Sequence, residues 1–178
     1  IKLFYIKIIK MVIFMYYYIN IFFLYSILGH IIETLFYTIG SGESGILYGY
    51  WTPVYGIGAA TILLFYNLFL NKKYNSLKKY LYLFLFSAIS LTGIEWLGGV
   101  LIEKIFGVIF WSYENLPFNI GDYISIEMAL VWGVASLLIV FLRPFFDYIE
   151  KKMPRFITWI MMILFIIDLS VTIYFKAL

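Results

Sequence analysis

Four acidic residues and one histidine lie inside long apolar runs of this sequence. They are His30, Glu33, Glu95, Glu127 and Asp168. An ionisable side chain at the centre of a membrane helix costs roughly 2.5 to 3.5 kcal/mol, so residues of this kind usually serve a function. Carboxylates and imidazole bind protons and cations. The first chemistry to expect from these residues is therefore the binding of a proton, a cation or a cationic solute.

The acids fall at one predicted depth in the membrane. With a rise of about 1.5 Å per residue, Glu33, Glu95 and Asp168 lie about 20 to 22 Å above the inner ends of their helices. Glu127 enters from the other side and lies about 6 to 9 Å below the outer surface of a core about 30 Å thick. No Lys or Arg shares this layer. Some of the acids are therefore expected to be protonated or to share a bound cation.

A polar stripe follows one face of the first predicted helix. Ser26, His30, Glu33 and Tyr37 recur at spacings of four, three and four residues, which aligns them on one side of an α-helix. This side is expected to face the interior of a bundle. A divalent metal bound through His30 and the acids stays open, with a single histidine to support it.

Structural roles compete with these assignments, because an acid in the outer half of a helix can reach the interface or join two helices. We assign Glu103 to such a role and leave Asp168 open between structure and function. Glu33, Glu95 and Glu127 are assigned to function.

The elements that position these residues are membrane helices. Hydrophobic residues make up 64% of the chain and charged residues 13%, against about 25% charged in soluble proteins. The 178 residues suffice for five spans of about 20 residues in a single transmembrane domain. The predicted spans are residues 19–39, 53–70, 80–106, 123–142 and 155–175, preceded by an interfacial lead-in over residues 1–18. We therefore predict an all-α, polytopic integral membrane helical bundle of about five transmembrane helices.

Basic residues set the predicted orientation, because Lys and Arg near spans are retained on the cytoplasmic side. With the N-terminus inside, all of the thirteen basic residues except Lys104 and Lys176 fall on that side. The C-terminus is then outside.

Two further features of the composition exclude some functions. The basic residues are confined to loops, which argues against nucleic acid as a partner. The absence of cysteine excludes thiolate ligands and disulfides.

Two outer loops, residues 41–52 and 107–122, are rich in aromatic residues. Trp111 and Tyr113 are expected either in the aromatic belt at the interface or in contact with a ligand. The length of the second loop predicts a partly re-entrant cap over the bundle.

An internal repeat is also predicted. Residues 54–59 (VYGIGA) resemble residues 131–135 (VWGVA), and each segment opens a span that follows a long outer loop. Spans one and two would then correspond to spans three and four, as a parallel repeat about an axis along the membrane normal. Chance similarity between apolar segments stays an alternative.

Several segments, read in order, resemble a known family. They are residues 25–34 (YSILGHIIET), residues 45–56 (GILYGYWTPVYG), Glu95, residues 111–113 (WSY), residues 116–121 (LPFNIG), Glu127 and residues 132–133 (WG). Together they are similar to the putative ABC-transporter type IV family, also called CmpB-like permeases. The resemblance covers residues 21–148, and the loop before Pro53 is its most specific part.

The resemblance implies a bacterial inner-membrane permease with Glu33, Glu95 and Glu127 at the acidic positions of the family. His30 stands where the family more often has Trp, and Ser112 stands where Asp is common. The family name implies ATP-driven transport. Because the sequence has no Gly-x-x-x-x-Gly-Lys phosphate loop, the ATPase would be a separate subunit. A homo-oligomer is the other expected assembly.

The leading functional hypothesis is a permease with a carboxylate pocket on the outer side of the membrane. Its candidate ligand-binding residues are Glu33, Glu95, Glu127, His30, Tyr37, Asp168, Trp111 and Tyr113. The alternatives are an intramembrane enzyme that acts on a lipid or isoprenoid, with one Glu as acid and another as base, and a non-catalytic membrane partner or assembly subunit. No nucleophile motif accompanies the acids, which favours binding over catalysis. No cofactor is evident, and a bound cation is the one candidate.

Overall fold

Five long helices form the chain in the computed structural model, which describes residues 2–40, 45–70 and 76–177, and side chains for 4–35, 45–70 and 77–177. The helices are α1 (Lys2–Gly40), α2 (Pro53–Phe65), α3 (Ser76–Phe106), α4 (Ile126–Lys152) and α5 (Arg155–Lys176). A π-helical turn (Tyr66–Leu70) continues α2. By length and composition all five can cross a membrane, α2 together with its π-helical turn. The predicted all-α membrane bundle is confirmed.

The first helix is longer than its predicted span. α1 contains no Gly or Pro before Gly29, so nothing in its sequence interrupts the backbone hydrogen bonds. It therefore passes through residue 18 without a break. The predicted lead-in and the predicted first span belong to one helix.

The ends of the other helices follow from local sequence. α2 begins at Pro53, which suits a first turn because its nitrogen needs no hydrogen-bond partner. α3 ends at Phe106, and the following residue, Gly107, has a φ of +69° and donates its N–H to the Glu103 carbonyl at 2.8 Å. The Ser125 hydroxyl caps α4 by accepting from the Met128 amide at 3.0 Å. α4 then continues well beyond the predicted end at residue 142.

The second outer loop contains a small hairpin that the sequence did not predict. Its strands, β1 (Asn119–Ile120) and β2 (Ile124–Ser125), pair antiparallel. Gly121 lies between them with a φ of +63°, a conformation that favours glycine. The Trp111 and Tyr123 rings lie 5.7 Å apart. We call residues 107–125 the outer cap, a name that follows the predicted orientation.

Close helix contacts at two glycines organise the bundle. A β-carbon at Gly56 would lie 2.2 Å from the Ser26 hydroxyl of α1. One at Gly133 of α4 would lie 2.6 Å from the Phe84 ring of α3. Both positions therefore require glycine for the observed approach. Gly56 and Gly133 are matched residues of the predicted repeat, which stays a prediction.

α5 packs differently from the other helices. The only side chains that it buries are Thr158 and Thr172. The Thr158 hydroxyl donates to Asn20 of α1 at 2.7 Å, whereas the Thr172 hydroxyl donates to Asp168 of the same helix at 3.3 Å. The half-buried Phe165 ring packs against the rings of Phe22 and Phe23 of α1. α5 is thus attached by both polar and aromatic contacts.

Candidate functional site

Asp168 of α5 holds the first outer loop. Its Oδ1 accepts from the Tyr48 amide at 3.0 Å, and its Oδ2 accepts from the Gly49 amide at 2.9 Å and from the Trp51 indole at 2.6 Å. The Lys176 ammonium donates to the Ile46 carbonyl at 2.8 Å. A carboxylate that accepts from several N–H groups forms strong, charge-assisted bonds, so Asp168 fixes residues 45–52 against α5.

Glu33 is linked to the end of the same loop. The Thr52 hydroxyl donates to Glu33 Oε2 at 3.1 Å and lies 3.4 Å from Nδ1 of His30. Thr52 occupies the N-cap position of α2 without making the usual capping bond, because its hydroxyl is directed to Glu33. If Thr52 donates to Glu33, His30 can bond it only with a proton on Nδ1.

Glu95 is the buried acid of the bundle, with only 6% of its surface exposed. Its Oε1 accepts from the Tyr113 hydroxyl at 2.5 Å, and its Oε2 accepts from the buried Trp132 indole at 2.8 Å. Tyr113 belongs to the outer cap and Trp132 to α4. Glu95 of α3 therefore joins two helices and the cap through two neutral donors.

Glu127 lies in the first turn of α4. Its Oε1 accepts from the Phe118 amide of the outer cap at 3.2 Å. Its Oε2 is buried without a hydrogen-bond partner, as is the indole nitrogen of Trp111. A buried polar atom of this kind usually has a partner such as water or an ion. Two buried atoms therefore lack a partner here, a donor in the outer cap and an acceptor in the first turn of α4.

Glu103 has the structural role that its position predicts. Its Oε2 accepts from the Tyr123 hydroxyl at 3.1 Å, which ties α3 to the base of the outer cap. Burial of the Tyr123 ring, together with the Glu103 carboxylate, raises the pKa of Tyr123 above its ordinary value.

The acids have separate partners. Asp168 and Glu33 hold the first outer loop, whereas Glu95 and Glu127 hold the outer cap. Across the described residues, no group of three or more His, Asp or Glu could hold a metal ion. The shared carboxylate pocket therefore stays a prediction. Tyr37 lies in α1, but its side chain is outside the described set.

Comparison with known proteins decides the family. The model of the family described as Putative ABC-transporter type IV matches residues 20–173. The chain belongs to this family. The match includes α5 with Asp168, beyond the resemblance noted up to residue 148. No curated protein and no solved structure matches the chain.

A second polar cluster in this type IV family member was missed by sequence reasoning. It lies at the opposite end of the bundle, where α2 ends and α5 begins, which we call the basic end. Arg143 pairs with Asp147 at 3.2 Å and donates to Asn67 at 2.7 Å. Tyr17 donates to Asp147 at 2.8 Å, and Asn67 donates to Tyr18 at 3.1 Å.

The spacing of this cluster could have revealed it. Arg143 and Asp147 are four residues apart, which places them on one face of a helix. The predicted fourth span ended at residue 142, so both residues were assigned to a loop. Because α4 continues to Lys152, they join α1 and the π-helical turn to α4. This arrangement locks three elements together at the basic end.

Proposed function

We propose that the chain is the membrane-spanning component of a transport system in the bacterial inner membrane, with its N-terminus in the cytoplasm. Its central binding residue is Glu95, which takes up a proton or a cation from the outer side. The family membership supports the transport class. Eleven basic residues at the predicted inner side support the orientation.

The burial of Glu95 without an ion-pair partner carries this proposal. The partners of Glu95, Tyr113 and Trp132, carry no charge, and the Arg143–Asp147 ion pair lies at the other end of the bundle. Removing an unpaired carboxylate from water costs several kcal/mol. Two neutral hydrogen-bond donors offset only part of that cost. A proton or a cation bound to Glu95 would offset the rest of the free-energy cost of burying its carboxylate.

The two donors would direct a proton to one oxygen. Trp132 can only donate, so Oε2 stays an acceptor, whereas the Tyr113 hydroxyl can reverse and accept. A proton on Glu95 would therefore reside on Oε1, facing Tyr113. Because Tyr113 belongs to the outer cap, the state of Glu95 would affect how the cap is held.

The other acids have secondary roles in this proposal. Glu33, with His30 and Thr52, and Glu127, with its unpartnered oxygen, are further binding candidates on the outer side. Asp168 is assigned to holding the first outer loop. The cap residue Trp111 would report on ligand entry.

A non-catalytic assembly subunit is the second candidate. One observation favours it, since each acid already has protein partners in the outer loops. In either case, a separate ATPase subunit would dock at the basic end, and a homo-oligomer is the other assembly to test.

Glu95→Gln separates the two candidates. A glutamine can accept from Trp132 through its carbonyl and donate to Tyr113 through its amide, so the fold should be retained. The purified full chain in nanodiscs is titrated with acid, and separately with Na⁺ and K⁺, while Trp fluorescence and the infrared carboxyl band are recorded.

If Glu95 binds a proton or cation, the wild-type protein shows a titration that Glu95→Gln lacks. Glu103→Gln is the control, because it changes an exposed acid on the same helix. Identical titrations of wild type and Glu95→Gln would refute ligand binding at Glu95. A loss of thermal stability alone would then support the assembly role.

A further inference from the structure

A cleft of about 350 Å³ lies between α4 and α5 at the basic end. Its lining residues are Tyr148, Ile149, Lys152, Met153, Pro154 and Ile157. The cleft is shallow and open to the surroundings, so a ligand would lie along its surface. Apart from the Lys152 ammonium and the Tyr148 hydroxyl, the side chains that line it are apolar. The cleft therefore suits a ligand with an apolar body and one anionic group.

The cleft results from the short connection between the two helices. Met153 and Pro154 are extended, with ψ angles of 117° and 141°. The Met153 amide donates to the Glu150 carbonyl at 3.0 Å, and the Ile157 amide donates to the Pro154 carbonyl at 3.0 Å. These bonds hold the turn between α4 and α5. Because both helices are long enough to cross a membrane, we expect this turn at the level of the lipid headgroups.

Positive charge is concentrated at the edge of this cleft. The Lys152 ammonium lies 4.2 Å from the centre of the Tyr148 ring and donates to the Tyr148 hydroxyl. Lys151 and Arg155 flank the turn in sequence. The carboxylate of Glu150, on the same turn of α4, accepts from Asn20 of α1 at 3.3 Å.

The N-terminus of α5 adds a second source of positive potential. This helix of 22 residues begins at Arg155 without a side-chain cap. The first backbone N–H groups of a helix lack partners within the helix and attract anions. A cleft with an apolar wall, a lysine ammonium at its edge and a helix N-terminus matches the chemistry of an anionic phospholipid.

We propose that this cleft binds one anionic phospholipid. The phosphate contacts Lys152 and the N-terminus of α5, and the upper part of an acyl chain packs on Ile149, Met153 and Ile157. A free phosphate ion shares the anionic chemistry, but it would leave the apolar wall uncovered. The site is independent of Glu95 and of the transport proposal.

Native mass spectrometry of the full chain in detergent tests this site, with added phosphatidylglycerol or phosphatidylcholine. We expect one phosphatidylglycerol to bind at least fivefold more tightly than phosphatidylcholine. Lys152→Gln should reduce phosphatidylglycerol affinity about fivefold, as expected for one unit charge near a headgroup. Lys104→Gln, which removes an exposed charge at the outer end of α3, should leave the affinity unchanged.

Two further measurements keep the test decisive. Ile157→Trp should fill the cleft and reduce phosphatidylglycerol binding. If the Lys152→Gln protein aggregates, the Ile157→Trp variant provides the test instead. Inorganic phosphate should not displace the lipid. Equal affinities for the two lipids, unchanged binding in either cleft variant, or full displacement by phosphate would each overturn the proposal.

Discussion

Asp168→Asn should release the first outer loop while leaving the helices intact. Asp168 accepts from the amides of Tyr48 and Gly49, from the Trp51 indole and from the Thr172 hydroxyl. Asparagine has one acceptor oxygen and a donor NH₂ group in its place. In the more favourable orientation, the asparagine carbonyl still accepts from the Gly49 amide and the Trp51 indole. The NH₂ group then faces the Tyr48 amide and cannot accept from it.

The expected magnitude follows from the lost bond. A hydrogen bond to a charged acceptor contributes about 1.5 to 3 kcal/mol, and at least the Tyr48 bond is lost. Because Asp168 is only half-buried, the lower part of this range applies. A loss of about 1.5 to 2 kcal/mol corresponds to local opening that is roughly 10- to 30-fold more frequent, at about 1.4 kcal/mol per factor of ten.

Hydrogen exchange of the backbone amides measures this opening. We expect the Tyr48 and Gly49 amides to exchange about 10- to 30-fold faster in Asp168→Asn, with little change in α3 and α4. Ser170→Ala is the matched control, since the Ser170 hydroxyl bonds only the Ile166 carbonyl of its own helix. Unchanged exchange in residues 45–52 would refute the role of Asp168 as the anchor of this loop.

Three further outcomes are expected. Gly99→Ala places a β-carbon 2.5 Å from the Tyr123 ring and should lower thermal stability by about 1 to 3 kcal/mol, whereas Gly93→Ala meets no atom within 4 Å and should be neutral or stabilising. Because the pKa of Tyr123 is raised in the folded state, its neutral hydroxyl stabilises the fold below about pH 10, and this stabilisation is lost as the pH rises through the folded-state pKa. In alkaline melting experiments, the difference in stability between wild type and Tyr123→Phe should therefore shrink. In intact cells, cysteines introduced at residues 72–79 should be shielded from external reagents and those at residues 41–43 accessible, and the reverse labelling would invert the orientation.

The helices could be predicted because hydrophobicity and helix signals are local. Pro53 marked the start of α2, and the apolar runs gave five membrane helices. α1 begins before the predicted first span, because no residue of the predicted interfacial lead-in, which contains Lys2, Lys7 and Lys10, interrupts the helix. Which part of α1 lies in the membrane stays a prediction.

The acids could be selected from the sequence, but their partners could not. Asp168 and the Gly49 amide are 119 residues apart, and such pairings depend on how helices pack. The predicted common depth of the acids did not indicate which loop each acid would contact. The unpredicted β1–β2 hairpin directs the Phe118 amide to Glu127, so the geometry of this acid depends on tertiary structure.

The sparse packing of α5 has a consequence for the order of assembly. Helices gain little hydrophobic stabilisation from one another in lipid, and α5 buries only two threonines. α5 also follows the other four helices in the chain, and domains form from the N-terminus during synthesis. Residues 45–52 therefore have no Asp168 to bind until α5 has been synthesised. We expect a nascent chain that ends before α5 to insert four helices with an open outer loop, which closes once α5 is added.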